Sequence, residues 1–282
     1  MTYAITNDVF NPDAGFNPDA TGYDSRNALW LGHAADHAYD DLGSISELFQ
    51  GWTVSMLSDL VTDTQGYVAT NDSMIVIAFR GTEPKRIKDW LTDAEIFLDT
   101  APTREAGKVH HGFSSRLKTV WKQLLVALQA ELASGKKIWV TGHSLGAGLA
   151  ALATARLLSE NVVPAVQGLY TFGQPRTGDE KFAYWFDSLI KAQTFRHVNN
   201  RDIVPHVPLP SPPAPPALDY KHFGTFEFFG PDGKLDNDIG IWTMLKIELE
   251  FAAKRLMRGD CTPEMISDHE MKNYIECLKK NL

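Results

Sequence analysis

The stretch KKIWVTGHSLGAGLAALATARLL, residues 136 to 158, constrains the fold more tightly than any other part of the chain. A β-branched and aromatic run enters a G-x-S-x-G pentapeptide at Gly142, and an alanine- and leucine-rich run leaves it at once. The first half predicts a buried strand over 136–142 and the second a helix over 144–158. Ser144 then falls on the sharp corner between them with its Oγ exposed. Gly142 and Gly146 remove the Cβ atoms that would clash around such a corner, and Ala147, Gly148 and Ala150 let the helix lie close to the sheet. The helix N-terminus adds free N–H groups and the positive end of a dipole where an oxyanion would form. This context favours a nucleophilic serine over a hydroxyl in an ordinary tight turn.

The flanking sequence extends the strand–helix alternation. Apolar residues at helical spacing predict a helix over 26–42, a short one near 44–50, and a long one over 113–133 with Phe113, Leu117, Val120, Trp121, Leu124, Leu125, Leu128 and Leu132 on one face. GYVAT at 66–70 and MIVIAF at 74–79 flank Asn-Asp-Ser and predict a β-hairpin. After the central unit come a strand at 166–172, a helix at 179–190, a strand at 194–198 and one more strand in KHFGTFEFF. The expected fold is α/β, a central, mostly parallel sheet flanked by helices. The 282 residues are enough for a single domain over 1–282, with an irregular Asn/Asp/Pro-rich lead-in over 1–25. VPHVPLPSPPAPPALDY at 204–220 predicts a stiff surface loop, either a connector or a wall of a binding cleft. IWTMLKIELEFAAKRLM at 241–257 predicts an amphipathic helix whose default partner is the core.

A net charge of −8 and a pI near 5.6 argue against nucleic acid as a partner. The longest weakly polar run, 148–158, is too short to cross a bilayer and contains Arg156, so no transmembrane segment is expected. The first twenty residues have no basic start followed by an apolar stretch. Localisation is therefore left between the cytoplasm, a non-classical route of secretion, and a leader already removed. Cys261 and Cys277 allow one bridge, but two reduced thiols are the favoured expectation. No H-E-x-x-H, C-x-x-C or phosphate loop occurs, so neither a metal nor an organic cofactor is expected.

A serine hydroxyl attacks only when a base takes its proton, so a histidine and an orienting carboxylate are required. In a strand–elbow–helix fold of this type the chain order is Ser, acid, His. That order sets aside His33, His37, His110, His111 and His143, which precede the serine. His197 lies inside a strand and His206 crowds the expected acid. His222 and His269 remain. Asp202 follows the strand at 194–198 and so sits at the carboxyl end of a parallel strand, on the same edge as the elbow. Asp179 reads better as a helix cap, and Asp219 is the reserve. His269 is favoured as base because Ser267 and Asp268 resemble N-cap residues, which places it in the first turn of a helix over 269–279, where the dipole keeps imidazole neutral. The backbone N–H of Leu145 is one oxyanion donor. Thr82, at the end of IAFRGT, is the candidate for the other.

Taken together, AFRGT, KDWLTDA, VHHGF, VTGHSLGAGLAALA, YTFGQPRTGD, RHVNNRDIVPHVP, YKHFG and SDHEMKNY, in this order over roughly residues 65 to 280, resemble the class 3 lipases, the fungal-lipase-like branch of the α/β-hydrolases. The resemblance implies Ser144 as nucleophile, Asp202 as acid, His269 as base, and Thr82 and Leu145 as oxyanion donors. It makes the Tyr220–Gly224 motif, with His222, structural. It also implies a lid over 83–98, where Ile87, Trp90 and Leu91 alternate with charged residues in an amphipathic flap. The implied substrates are carboxylic esters, above all acylglycerols, met as a lipid or small ester with or without an oil–water or membrane interface. Soluble or aryl (feruloyl-type) esters, phospholipids and a non-catalytic binding module are the competing expectations. Unlike the secreted fungal pattern, this sequence shows only two cysteines and no visible signal peptide, and residues 229–260 are expected to be an insertion.

Overall fold

In the computed structural model, which describes residues 15–83, 86–87, 97–129, 131, 135–163, 165–208, 220–236 and 263–282, the β-branched runs do form the centre of a sheet. The strands are β1 (Thr53–Asp59), β2 (Thr64–Thr70), β3 (Met74–Phe79), β4 (Leu98–Thr100), β5 (Lys108–His110), β6 (Lys137–His143), β7 (Gly168–Phe172), β8 (Gly178–Asp179), β9 (Thr194–Asn199), β10 (Tyr220–Lys221), β11 (Thr225–Phe229) and β12 (Leu235–Asp236). Among the described residues, one eight-stranded sheet has the order β1-β2-β3-β6-β7-β9-β11-β12, and the short β10, β8, β5 and β4 form a second sheet. From β3 to β11 the neighbours in the large sheet are parallel, while β1, β2 and β12 add antiparallel edges.

Helices cover both faces. They are α1 (Ser25–His37), α2 (Leu42–Leu48), α3 (His111–Gln129), α4 (Leu145–Ser159), α5 (Glu180–Ile190), α6 (Pro263–Ser267) and α7 (Met271–Lys280). Side chains alternate across a strand, so β3 sends Ile75, Ile77 and Phe79 to a core shared with α3, α4 and α5. The same strand sends Met74, Val76 and Ala78 to a core shared with α1, α2 and α7. Burial on both faces explains why β3, β6 and β7 read as continuous apolar runs and not as alternating ones. The large parallel sheet flanked by helices is the α/β arrangement expected from the sequence.

Three details go beyond or against the sequence reading. β1 was not anticipated: its TVSMLSD pattern is half-polar because it is an edge strand facing solvent. The C-terminal helix begins at Met271 and not at 269, because residues 268–270 form a turn between α6 and α7. Residues 229–236, expected within an insertion, end β11 and return as β12. Trp90 and Leu91, the proline run over 209–219 with Asp219, the helix expected over 241–257 and Cys261 lie outside the described residues. Cys277 is a free, buried thiol.

Candidate active site

The carboxyl ends of β3, β6, β7 and β9 bring the candidate residues together. At the end of β6 the chain turns through Ser144 into α4, and the Ser144 N–H donates to the Phe172 carbonyl at the end of β7, at 3.0 Å. Ser144 has φ 58° and ψ −129°, a left-handed backbone that a non-glycine residue adopts only when its surroundings enforce it. The elbow tolerates no side chain at Gly146, where a Cβ would run into the Phe79 carbonyl of β3. Ser144 is fully buried, contrary to the exposed Oγ expected from the motif. The end of the β3 strand presses on it from one side: a Cβ on Gly81 would lie 3.0 Å from that of Ser144. Thr82, the next residue, is half-buried. The Leu145 N–H opens α4, where first-turn N–H groups have no intrahelical carbonyl to bond.

Asp202 and His269 meet directly. His269 Nδ1 lies 2.9 and 2.8 Å from the two carboxylate oxygens of Asp202, with both side chains buried. Asp202 Oδ2 also accepts the Tyr274 hydroxyl at 2.6 Å, and Oδ1 accepts the Val204 N–H at 2.8 Å. Burial pushes the Asp202 carboxyl up. The adjacent His269 imidazole and the donors from His269, Tyr274 and Val204 outweigh it and hold the group below the ordinary carboxylate value. A carboxylate accepting at Nδ1 leaves Nε2 as the imidazole's open position. Ser144 Oγ and His269 Nε2 are both buried and have no hydrogen-bond partner among the described residues.

The placement of His269 in a turn removes the helix-dipole argument, and different contacts hold the ring. Asp268 does not cap a helix. Its carboxylate accepts from Asn200 Nδ2 and the Arg201 N–H, at 3.0 and 3.2 Å, and its carbonyl accepts from Asn199 Nδ2 at 2.9 Å, tying the histidine turn to the loop that carries Asp202. Against His269 lies the His143 ring, tilted by 30° at 4.5 Å between centroids, and its Nε2 donates to the His269 carbonyl at 2.7 Å. Burial, with His269 beside it, lowers His143 to about 3. The neutral ring therefore accepts the Tyr39 hydroxyl at Nδ1, 2.8 Å away. Tyr274, Tyr39 and the Asn199–Asn200 pair carried no signal in the sequence, because each acts across more than sixty residues of chain. His222, by contrast, is half-buried and donates through Nε2 to the Pro205 carbonyl at 2.7 Å, with desolvation first and Arg196 and Arg176 next holding it well below the usual imidazole value. Ile87, the described member of the lid candidates, is buried with Ile203, Val204, Val207 and Met265, next to the segments that carry Asp202 and His269.

Residues 76–211, from β3 past Asp202, match the family model described as Lipase (class 3). Over this span, just under half of its length, the chain is similar to the class 3 lipases. A lipase of Rhizopus niveus is 38% identical over 166 residues, 56% of this chain and 41% of that protein, so the match spans about two fifths of its relative. Among solved structures, the Rhizomucor miehei triacylglyceride lipase superposes with a TM-score of 0.61 at 27% identity, covering 75% of this chain and 83% of that one. A triacylglycerol lipase whose catalytic centre is described as a serine protease triad gives 0.63 at 28%, covering 74% and 82%. The fold is thus that of the α/β-hydrolases. Among the described residues, no cluster of His, Cys, Asp and Glu is arranged to hold a metal ion, and no helix is long and apolar enough to cross a membrane.

Proposed function

We propose that this chain is a lipase of the class 3 type, a serine hydrolase of carboxylic esters, acylglycerols first, acting through an acyl-enzyme. The observation that carries the proposal is the pairing of Asp202 with His269 Nδ1, with the His269 ring 4.5 Å from that of His143, the residue before a strained, buried Ser144 whose Oγ, like His269 Nε2, is left unbonded. His269 Nε2 takes the Oγ proton as Ser144 attacks the ester carbonyl, and Asp202 stabilises the imidazolium that forms. The N–H of Leu145 and the N–H or hydroxyl of Thr82 receive the oxyanion. Collapse of the tetrahedral intermediate breaks the C–O bond, His269 returns the proton to the leaving alcohol, and water repeats the two steps to release the acid.

Burial of Ser144 supports a further element of the proposal. A fully covered nucleophile needs a moving cover, and Ile87, packed over the segments of Asp202 and His269, belongs to the amphipathic 83–98 segment. In this proposal the segment closes the site in water and opens at a lipid–water interface. The test is labelling by a fluorophosphonate probe together with a chain-length series of p-nitrophenyl esters set beside emulsified triglyceride. Labelling that disappears in Ser144→Ala and a rate that rises when substrate forms an interface support the proposal. An unlabelled wild type defeats it, and a rate indifferent to the interface defeats the lid.

A further inference from the structure

The hairpin joining β1 to β2 carries, at its tip, the two most exposed large apolar side chains among the described residues, Leu60 at 94% and Val61 at 93%. Turn positions ordinarily hold glycine or short polar residues. This turn is firmly built. The Thr62 N–H and Oγ1–H donate to Asp59 Oδ2 at 2.8 and 2.6 Å, Arg116 of α3 donates to the Thr62 carbonyl, and Thr119 Oγ1 lies 3.2 Å from Thr62 Oγ1. Just below, Ser58 and Gln123 exchange hydrogen bonds of 2.9 and 2.8 Å. The polar groups of the turn are committed to the turn itself and to α3, and the two aliphatic side chains are presented to solvent on a braced support.

The register fixes where that support points. β2 runs antiparallel to β3 with Gly66 opposite Phe79, so the tip lies at the carboxyl edge of the sheet, the edge that carries Ser144. With strands about 4.8 Å apart, and β2 and β1 two and three positions from β6, the tip is roughly 10–15 Å from the elbow. Asp63 of the same turn is 3.8 Å from Arg80, two residues before Thr82, and 3.5 Å from Arg86, next to Ile87. The tip therefore stands beside both the candidate oxyanion strand and the start of the candidate lid.

We propose that Leu60 and Val61 form a fixed anchor that enters the surface of a lipid aggregate and holds the active-site edge against it. The proposal rests on the ester-hydrolase reading above, since an insoluble substrate gives the edge a reason to face lipid. The shape argues for lipid over protein. A stable protein interface buries about 800 Å² on each partner, far more than two side chains on a convex tip supply. A small aliphatic protrusion ringed by Asp59, Asp63, Arg80, Arg86 and Arg116 suits a fluid apolar layer, with the charges left at headgroup level.

The experiment compares the wild type with the double variant Leu60→Ser/Val61→Ser and with Val126→Ser, which removes another exposed aliphatic side chain on α3, at 62% exposure. Each is measured for p-nitrophenyl butyrate hydrolysis below its solubility limit, co-sedimentation with phosphatidylcholine vesicles, hydrolysis of emulsified triolein, and sedimentation velocity without lipid. The expected result is hydrolysis of the soluble ester within about twofold of wild type for both variants, with vesicle partitioning and triolein hydrolysis reduced about tenfold or more in the double variant alone. Unchanged partitioning in the double variant overturns the anchor, and so does an equal loss in Val126→Ser. A wild-type dimer that the double variant converts to monomer, with vesicle binding intact, overturns it in favour of a second copy of the chain. If the wild type hydrolyses no ester, the ester-hydrolase reading fails by itself, and vesicle partitioning still decides the anchor.

Discussion

Asp202, His269 and Tyr274 at the carboxyl edge, and Glu227 and His197 on adjacent strands with the half-buried Tyr23, are the same three kinds of side chain packed around one sheet. In the first group the donors converge: His269, Tyr274 and Val204 all donate hydrogen bonds to Asp202, and its carboxyl stays below the ordinary value. In the second, Glu227 pairs in register with His197 across β11 and β9, and the Tyr23 ring lies 5.8 Å from that of His197. Yet Glu227 Oε2, His197 Nε2 and the Tyr23 hydroxyl have no hydrogen-bond partner among the described residues. Burial raises Glu227 to about 7 and lowers His197 to about 3, and it pushes the Tyr23 hydroxyl up. Burial raises a carboxyl in both places, and only at Asp202 do N–H and O–H donors aimed at the carboxylate reverse it.

The largest effect expected from this contrast is on turnover. Ser144→Ala or His269→Ala lowers kcat for a soluble ester by about 10⁴-fold or more, as for triad members generally. Glu227→Gln leaves it within about twofold, and a comparable loss there would erase the distinction between the two groups. Tyr274→Phe tests the donors themselves. It removes one hydrogen bond to Asp202 and the acceptor of the Asn199 N–H, so kcat falls about tenfold with KM little changed. A pH–rate profile moves its acid limb upward, and stability in urea drops by about 1–2 kcal/mol.

Thermal stability against pH separates the groups in sign. Glu227 has a raised value in the fold, so its contribution is fully present below the unfolded carboxyl value and is lost as pH rises through about 7. Glu227→Gln therefore raises Tm at pH 8, by about 2–4 °C, and changes it little at pH 4. His143, His197 and His206 are each held near 3 by burial first. Their contribution is present above the unfolded imidazole value and is lost as pH falls from about 6.5 toward 3. Asp202, with its lowered value, adds a loss in the same direction at lower pH. The wild-type Tm should fall on acidification through that window, and a flat profile would contradict the buried neutral histidines. The smallest effect belongs to His222→Ala. It loses the bond to the Pro205 carbonyl and about 1 kcal/mol of stability, with turnover within a few-fold of wild type.

Sequence alone determined the elements whose signal is local. The β-branched runs of β3, β6 and β7, the helical faces of α3 and α4, and the strand–elbow–helix around Ser144 are all readable within about twenty residues, because periodicity and glycine placement act over that range. Chain order singled out Asp202, and the family's late Asp-His motif supported His269. Neither could say what holds them. The turn at 268–270 forms because Asn199, Asn200 and Arg201 capture Asp268, and a window of sequence around Ser267 shows only a helix start. The burial of Ser144, the Tyr274 donor on Asp202 and the contact of His143 with His269 depend on packing β3, β9 and α7 around one edge. Contacts between residues sixty or more positions apart exist only once the sheet has formed. The tertiary structure therefore decided which carboxylate is charged and which serine is covered.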